Sequence, residues 1–270
     1  MNDGKFELYI SGKRLYGDDL TPPQIMDWFK SEEDGYANLG AKDKSNYRYE
    51  YHALNNELFY KFLRGKRFKE ALGIGSAYGD ELIPIADRLQ SIMILEPSDA
   101  FAMDSTIGQT PTTYVKPNVS GDFPFESNRF DLITCFGVMH HVPNVSHVMK
   151  EIYRCLSVGG SFCIREPIVS MGDWRKPRAG LTANERGIPI DIFDKIIDEA
   201  GFKVARRSFY DFRPIPIIAT KIGVDAYNNY FTVKLDQLVC NLLSWRTPYH
   251  RTTFVEKLAP ASVAYLLEKA

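Results

Sequence analysis

The sequence predicts a doubly wound α/β fold, a mostly parallel sheet with helices on both faces, and three observations carry that reading. From Glu70 onward, short apolar runs alternate with amphipathic stretches, the pattern of strands joined by crossover helices. The first run, Ala71 to Ile74, empties into a glycine turn, Gly75-Ser76-Ala77-Tyr78-Gly79. The next run, Ile92 to Leu95, ends on an acid, Glu96. Glycines at a strand exit let a ligand approach backbone that a side chain would screen. The helix start behind the turn offers unpaired N–H groups, and an acid closing the second strand suits a pair of ribose hydroxyls. Together they point to a nucleoside-containing cofactor.

Taken in order, residues 5–16 alternate apolar and polar about Ser11-Gly12-Lys13, as a small hairpin would. Thr21-Pro22-Pro23-Gln24 has the form of a helix start, with a threonine cap, proline in the first turn and glutamine three residues on. Ile25, Met26, Trp28 and Phe29 give that helix an apolar face. A polar stretch near 40–47 precedes a second helix, Tyr49 to Leu63, with Leu54, Leu58, Phe59 and Phe62 at helical spacing. Strands are expected at 70–74, 91–96, 112–116, 130–136 and 160–166, and helices at 79–89, 98–105, 145–156 and 189–200. After the helix-ending Gly201, segments 202–210 and 214–222 are expected to form a last strand pair. The aromatic tail from Asn228 reads as helical. The organisation is thus an N-terminal hairpin and helical cap (1–65), a cofactor domain (66–222) and a helical C-terminal extension (223–270).

The chain of 270 residues, 44% hydrophobic and 25% charged with a formal net charge of −1, has a globular composition and no basic footprint for nucleic acid. No apolar run approaches the roughly 20 residues that span a bilayer. The start, MNDGKFELYI, lacks an apolar leader segment, so a cytoplasmic location is expected. Cys135, Cys155, Cys163 and Cys240 form no close pair. They are expected to be reduced and buried, with no metal site.

Two further motifs lie downstream. In FPFESNRFDLITCFGVMHHVPN (123–144) a strand runs into a glycine turn carrying His140 and His141. Ligands of open parallel sheets bind beyond the carboxyl ends of the strands, so two histidines there face the reacting centre. In LSVGGSFCIREP (156–167) a helix stops at Gly159-Gly160 and a strand delivers Glu166 to the same edge.

The ordered set of glycine turn, acid after the second strand, Pro124-Phe125 before Phe130-Asp131, His140-His141-x-Pro143 and Leu156-x-x-Gly159-Gly160 resembles the class I S-adenosylmethionine-dependent methyltransferases. The likeness is to their ubiquinone-biosynthesis-like (type 11) branch, from about Glu70 to Gly201. The resemblance implies a seven-stranded sheet with one antiparallel strand near its end, and a cofactor lying across the first two strands. Cofactor contacts are then expected from Gly73, Gly75, Ser76, Ala77, Gly79, Glu96, Pro97, Ser98, Asn118 and Phe136. Glu96 would hold the ribose, and the turn would approach the methionine part. The chain departs from that pattern at Gly73, where relatives carry an acid, and at Ala77, where they carry glycine. Glu70 cannot replace the acid, because its odd offset along the strand turns it to the other face. On the adenine side only Asn118 and Asp122 are near.

An acceptor hydroxyl needs a base, and histidine titrates in the right range. His141 is the candidate, or His140 if the turn points it inward, with Glu166 orienting the ring or binding the acceptor. The loop 165–189 is rich in arginine. Arg175, Arg178 and Arg186 are expected to bind an anionic small-molecule or glycan-like acceptor, the other reading being an internally paired lid. Tyr47, Tyr49 and Tyr51 could close over the cofactor, or simply pack. Competing functions are a C-methyltransferase acting on a quinone-like ring and a cofactor-binding module without catalysis. An oligomer is compatible with the sequence.

Overall fold

The computed structural model describes residues 3–39, 44, 47–101 and 105–270. Its helices are α1 (Asp3–Ile10), α2 (Pro22–Leu39), α3 (His52–Leu58), α4 (Val145–Cys155), α5 (Ile190–Ala200), α6 (Pro214–Lys221), α7 (Tyr230–Leu243) and α8 (Phe254–Lys257). Its strands are β1 (Phe68–Ile74), β2 (Leu89–Leu95), β3 (Thr106–Ile107), β4 (Thr110–Val115), β5 (Phe130–Phe136), β6 (Leu156–Pro167), β7 (Lys203–Tyr210) and β8 (Ser262–Glu268). They form one sheet in the order β3-β4-β2-β1-β5-β6-β8-β7. β4, β2, β1, β5 and β6 pair in parallel. β8 lies antiparallel between β6 and β7. The order reverses between β1 and β5, so the carboxyl ends of β1, β2 and β5 open the crevice that such sheets use for ligands.

The central strands are buried on both faces, and side-chain alternation divides the core in two. Ile133, Phe162, Ile164, Tyr265 and Leu267 face one side, where Val148, Met149, Ile152, Phe193 and Ile197 of α4 and α5 cover them. Leu132, Cys163, Ala264 and Leu266 face the other, against Leu54 and Leu58 of α3, Leu82, Ile85 and Val233. All four cysteines are free and buried.

The doubly wound class holds, with eight strands in place of seven because the two-residue β3 joins the edge. Several local expectations need correction. The hairpin over 5–16 is α1 followed by a turn. Phe6, Tyr9 and Ile10 are spaced i, i+3, i+4 and bury together against Trp174, a spacing that suits a helix as well as the alternation suits a strand. The helix over 49–63 is α3 plus a 3-10 turn at Tyr60–Leu63. The helix over 79–89 is a 3-10 run, Asp80–Arg88, with Pro84 inside it, where proline removes a helical donor. Of the helix over 98–105, Asp99–Phe101 is one 3-10 turn, while 102–104 lie outside the described residues. So does most of the polar stretch 40–47.

The segment 214–222 is not a strand. It is α6, with proline at its start, a residue a helix accepts in its first turn and an interior strand does not. The partner of β7 is instead β8, drawn from the tail that read as helical. Buried at every residue from Ser262 to Leu267, it shows no polar alternation by which a short strand is told from a buried helix.

Because β8 is clamped on both edges, its large-to-small variants should be costly. Leu267→Ala is expected to lower the unfolding free energy by about 2–5 kcal/mol, whereas Val158→Ala, at a 70% exposed position, should change it by under about 0.5 kcal/mol. Urea denaturation followed by circular dichroism checks both.

Candidate active site

At the exit of β1 the backbone turns through left-handed conformations at Gly75 (φ 59°), Ala77 (φ 47°) and Gly79 (φ 72°). A Cβ on Gly75 would meet Val138 at 2.7 Å, so glycine there permits the β1 and β5 turns to touch. Glu96 closes β2 and is buried. Its two oxygens accept from Ala77 N (3.0 Å) and Ser98 N (3.2 Å). Burial pushes its carboxyl up, and the two N–H groups restrain the rise. Beside it lies a small slot of about 140 Å³ lined by Glu96, Pro97, Asn118, Val119, Phe123 and Phe29. An acid at one end and apolar walls elsewhere fit a nucleoside.

A larger cavity of about 650 Å³ opens on the other side of the glycine turn. Ser76, Ala77, Glu81, His140, Arg165 and Tyr210 line it. The two spaces meet at Ile74, Gly75 and His141, which border both.

The histidine turn that carries His141 is held from both sides. Glu166, fully buried at the end of β6, accepts from Val138 N (2.8 Å), Met139 N (2.9 Å) and His140 N (3.2 Å). It also accepts from His140 Nδ1 at 2.8 Å. Burial would raise its pKa, but His140 and these amides hold it below the usual carboxylate range. The turn's carbonyls go to Arg186, which donates to Met139 O (3.0 Å) and Val142 O (2.9 Å) while also reaching Tyr16 O (2.8 Å). Trp28 Nε1 donates to His141 O at 2.7 Å.

The two imidazoles stand 4.1 Å apart, centroid to centroid, yet differ in protonation. Burial disfavours charge on His140, but Glu166 and Glu185 (Nε2 to Oε1, 3.6 Å) outweigh it and push the pKa up to about 9. Burial and the adjacent His140 charge push His141 down. Its Nδ1 lies 2.9 Å from Glu32 Oε2, a carboxyl kept ionised by His141 and Thr182 despite burial. An ionised acceptor places the proton on Nδ1, so Nε2 carries the lone pair. His140, His141 and Glu185 also bring potential ligating atoms within 4.8 Å of one another, although both Nδ1 atoms are already engaged with carboxylates.

Some expected site residues lie elsewhere. Gly73 borders neither space: a Cβ there would meet Ser76 Oγ at 2.4 Å and Ile94 at 2.8 Å, so its glycine serves packing within the turn. Gly79 and Ser98 support the turn without lining either space. A Cβ on Gly79 would strike Ile107 at 2.2 Å. Phe136 does line the larger cavity, stacked on Phe59.

The three arginines expected to bind an acceptor are occupied within the protein. Arg186 is the fully buried clamp described above. Arg178 donates to the carbonyls of Met171, Thr182, Ala183 and Glu185. Arg175 pairs with Asp173 and Asp3 over the ring of Phe6. Their partners lie both within the loop and outside it, and the arginines that line the cavity are Arg48, Arg165 and Arg213.

Glu32, Glu81 and Glu185 were not singled out by sequence reasoning. Glu32 sits in α2, remote in sequence from everything it touches. Glu81 is buried beside Ser76, and burial lifts its carboxyl to about 7 against the Ser76 hydroxyl, which lowers it. Its only sequence signal is its place two residues after the glycine turn.

Comparison with known proteins agrees with this geometry. A family model described as a methyltransferase domain matches residues 72–164. The sterol 24-C-methyltransferase of Saccharomyces cerevisiae is 33% identical over 98 residues, 32% of this chain but only 26% of that protein's length. An S-adenosylmethionine-dependent methyltransferase from Mesorhizobium loti superposes with a TM-score of 0.54 at 13% identity, over 80% of this chain and 98% of that one. Phosphoethanolamine N-methyltransferase 2 of Haemonchus contortus, solved with phosphomonomethylethanolamine and S-adenosylhomocysteine, gives 0.52 at 16% identity, over 80% and 52%. Residues 72–164 therefore match a methyltransferase-domain model, and the chain shares the fold of these methyltransferases.

Proposed function

We propose that this domain methylates an oxygen of a small polar acceptor held in the larger cavity, with His141 as general base. The observation that carries the reading is the position of His141, where the nucleoside-sized slot and the larger cavity meet. When bound, S-adenosylmethionine supplies an electrophilic methyl group for an in-line displacement.

The chain's own residues divide the remaining work. Glu96 and the apolar slot would hold the nucleoside. Glu81 and Arg165, of opposite charge and both lining the larger cavity, would take the ammonium and carboxylate of the methionine end. Glu81 thereby stands in for the acid missing at Gly73. Arg165 is buried, held by Asn55 (3.1 Å) and stacked between the rings of Tyr51 and Phe136. Of the three tyrosines expected to close the site, Tyr51 carries this guanidinium and Tyr49 hydrogen-bonds Asn55. Tyr47 and Tyr78 meet edge to face. Such walls exclude water from a displacement that water would otherwise intercept.

His141 Nε2 would remove the acceptor proton, oriented through Nδ1 by Glu32. His140 is cationic at neutral pH and cannot be that base; with Glu166 it fixes the turn. An acidic or phosphorylated acceptor would meet Arg48 and Arg213, which line the larger cavity and would exchange their Asp225 and Asp211 partners for it.

His141→Ala is expected to lower kcat by about 10²-fold or more with little change in cofactor affinity; an unchanged kcat removes His141 from the mechanism. Because its pKa is held below the ordinary imidazole value of 6.5, the acid limb of kcat should have its midpoint below that value. Dialysis against a chelator should leave methyl transfer intact, and a loss restored by a divalent metal would reassign the His140–His141–Glu185 cluster to cation binding. Product analysis separates transfer to oxygen from transfer to carbon.

Glu81→Gln should weaken S-adenosylmethionine binding by about tenfold or more in calorimetry, the loss of one buried charge-assisted contact. The folded Glu81 carboxyl binds its proton more tightly than the unfolded one. Its contribution to stability is therefore present at low pH and lost as pH rises through about 7. A cationic ligand group favours the ionised form, so thermal protection by the cofactor should be larger at pH 8 than at pH 6. Equal protection at the two values in the wild-type protein would exclude Glu81 as the partner of that group.

A further inference from the structure

α7 buries Val233, Asp236 and Cys240 against the rest of the protein and turns Phe231, Leu235, Leu238 and Leu242 to solvent. These four are spaced i, i+4, i+7, i+11, a single stripe on one helix face. α6 packs against α7 and exposes Ile217, Ile218 and Ile222. Trp245, just past α7, is 79% exposed, and Phe254 and Val255 of α8 are also outside. α6 and α8 flank a groove of about 440 Å³ lined by Met171, Arg213, Ile217, Phe254, Lys257 and Leu258. A monomeric soluble domain rarely leaves so many large apolar side chains together on one face.

The charges on this face share one sign. Between Phe212 and Leu258 the exposed ionic side chains are Arg213, Lys221, Lys234, Arg246 and Lys257, of which Arg213 pairs with Asp211 and Arg246 with Glu256. The acids of the same span are withdrawn. Asp236 is buried and accepts from Asp211 N and Phe212 N. Asp225 takes Arg48 and Asn228, and Glu256 is spent on the capping box of α8 and on Arg246. In a chain whose net charge is −1, this segregation is a local property of the α6–α8 face.

We propose that the α6–α7–α8 face docks on an anionic lipid bilayer, with Phe231, Leu238, Trp245 and Phe254 entering the interface and Lys221, Lys234 and Lys257 meeting the head groups. A cationic, apolar, aromatic helical face is what interfacial binding requires. Among the described residues no helix is long and apolar enough to cross a membrane, so the contact is peripheral. A second copy of the chain fits less well, since a two-fold interface lays the same patch against itself and would oppose these lysines to one another. The groove shares Met171 and Arg213 with the larger cavity, so docking in this orientation sets the cavity mouth beside the bilayer.

The test uses the full chain with vesicles of phosphatidylcholine alone and of phosphatidylcholine with phosphatidylglycerol. Co-sedimentation should favour the anionic vesicles by about tenfold or more and weaken as salt is raised. Trp28 and Trp174 are buried, so a blue shift of emission on binding should vanish in Trp245→Phe. Phe231→Ser with Leu238→Ser should lower partitioning by at least about tenfold. Lys221→Glu with Lys234→Glu should abolish the anionic preference. Thermal protection by S-adenosylmethionine in each variant serves as the check on folding, and none of these readouts requires methyl transfer. No partitioning by the wild-type chain, or partitioning unchanged in the folded serine variant, overturns the proposal. So does a concentration-dependent dimer that the serine variant dissociates, which would assign the face to a second copy.

Discussion

The site depends on one short turn, residues 138–142, whose amides are gathered by a buried carboxylate and whose carbonyls are gathered by a buried guanidinium. Glu166 takes three successive N–H groups, and Arg186 takes two carbonyls on the other side. Each charge is out of water, and neither is left unsatisfied, the condition on which such burial is tolerable. The arrangement also explains why adjacent histidines behave differently. Glu166 and Glu185 face His140 and raise its pKa to about 9, and the positive charge so favoured helps hold the pKa of His141 down. One carboxylate at the end of β6 thus fixes the geometry of the turn and, through His140, the protonation of its neighbour.

The N-terminal cap takes part in the same construction. Trp28 donates to the His141 carbonyl and Glu32 to the orientation of its ring. Tyr16 supplies a third carbonyl to Arg186 and stacks on Trp174 of the 165–189 loop. Cap and lid therefore form one shell around the turn. Arg186 is consumed in building that shell, and Arg175 and Arg178 are held by Asp173, Asp3 and the loop's own carbonyls.

Much of the framework was legible in the sequence because it is local. The glycine turn, the acid after β2 and the strand–helix alternation each lie within a few residues, and all three stand where they were expected. The errors occur where a pattern admits two periods or where partners are distant. Phe6, Tyr9 and Ile10 satisfy a helix while their neighbours alternate like a strand. Residues 263–267 are apolar throughout, so no period declares them a strand, and their place between β6 and β7 is set by pairing across some hundred residues of chain. Glu32 lies 109 residues from His141, and no spacing rule connects them. The arginines of the lid were read correctly as forks but not as forks already filled, because their partners are backbone carbonyls, which the sequence does not distinguish.

The departure at Gly73 has a physical reason in the same turn. Any side chain there would drive into Ser76 Oγ and Ile94, and Ser76 is the residue whose hydroxyl supports ionisation of Glu81. An acid at position 73 and a supported acid at position 81 therefore compete for one volume. A chain that places its carboxylate at 81, inside the cavity and next to the turn, needs glycine at 73 for the serine to reach it. The glycine at 73 and the buried acid at 81 are thus coupled through Ser76.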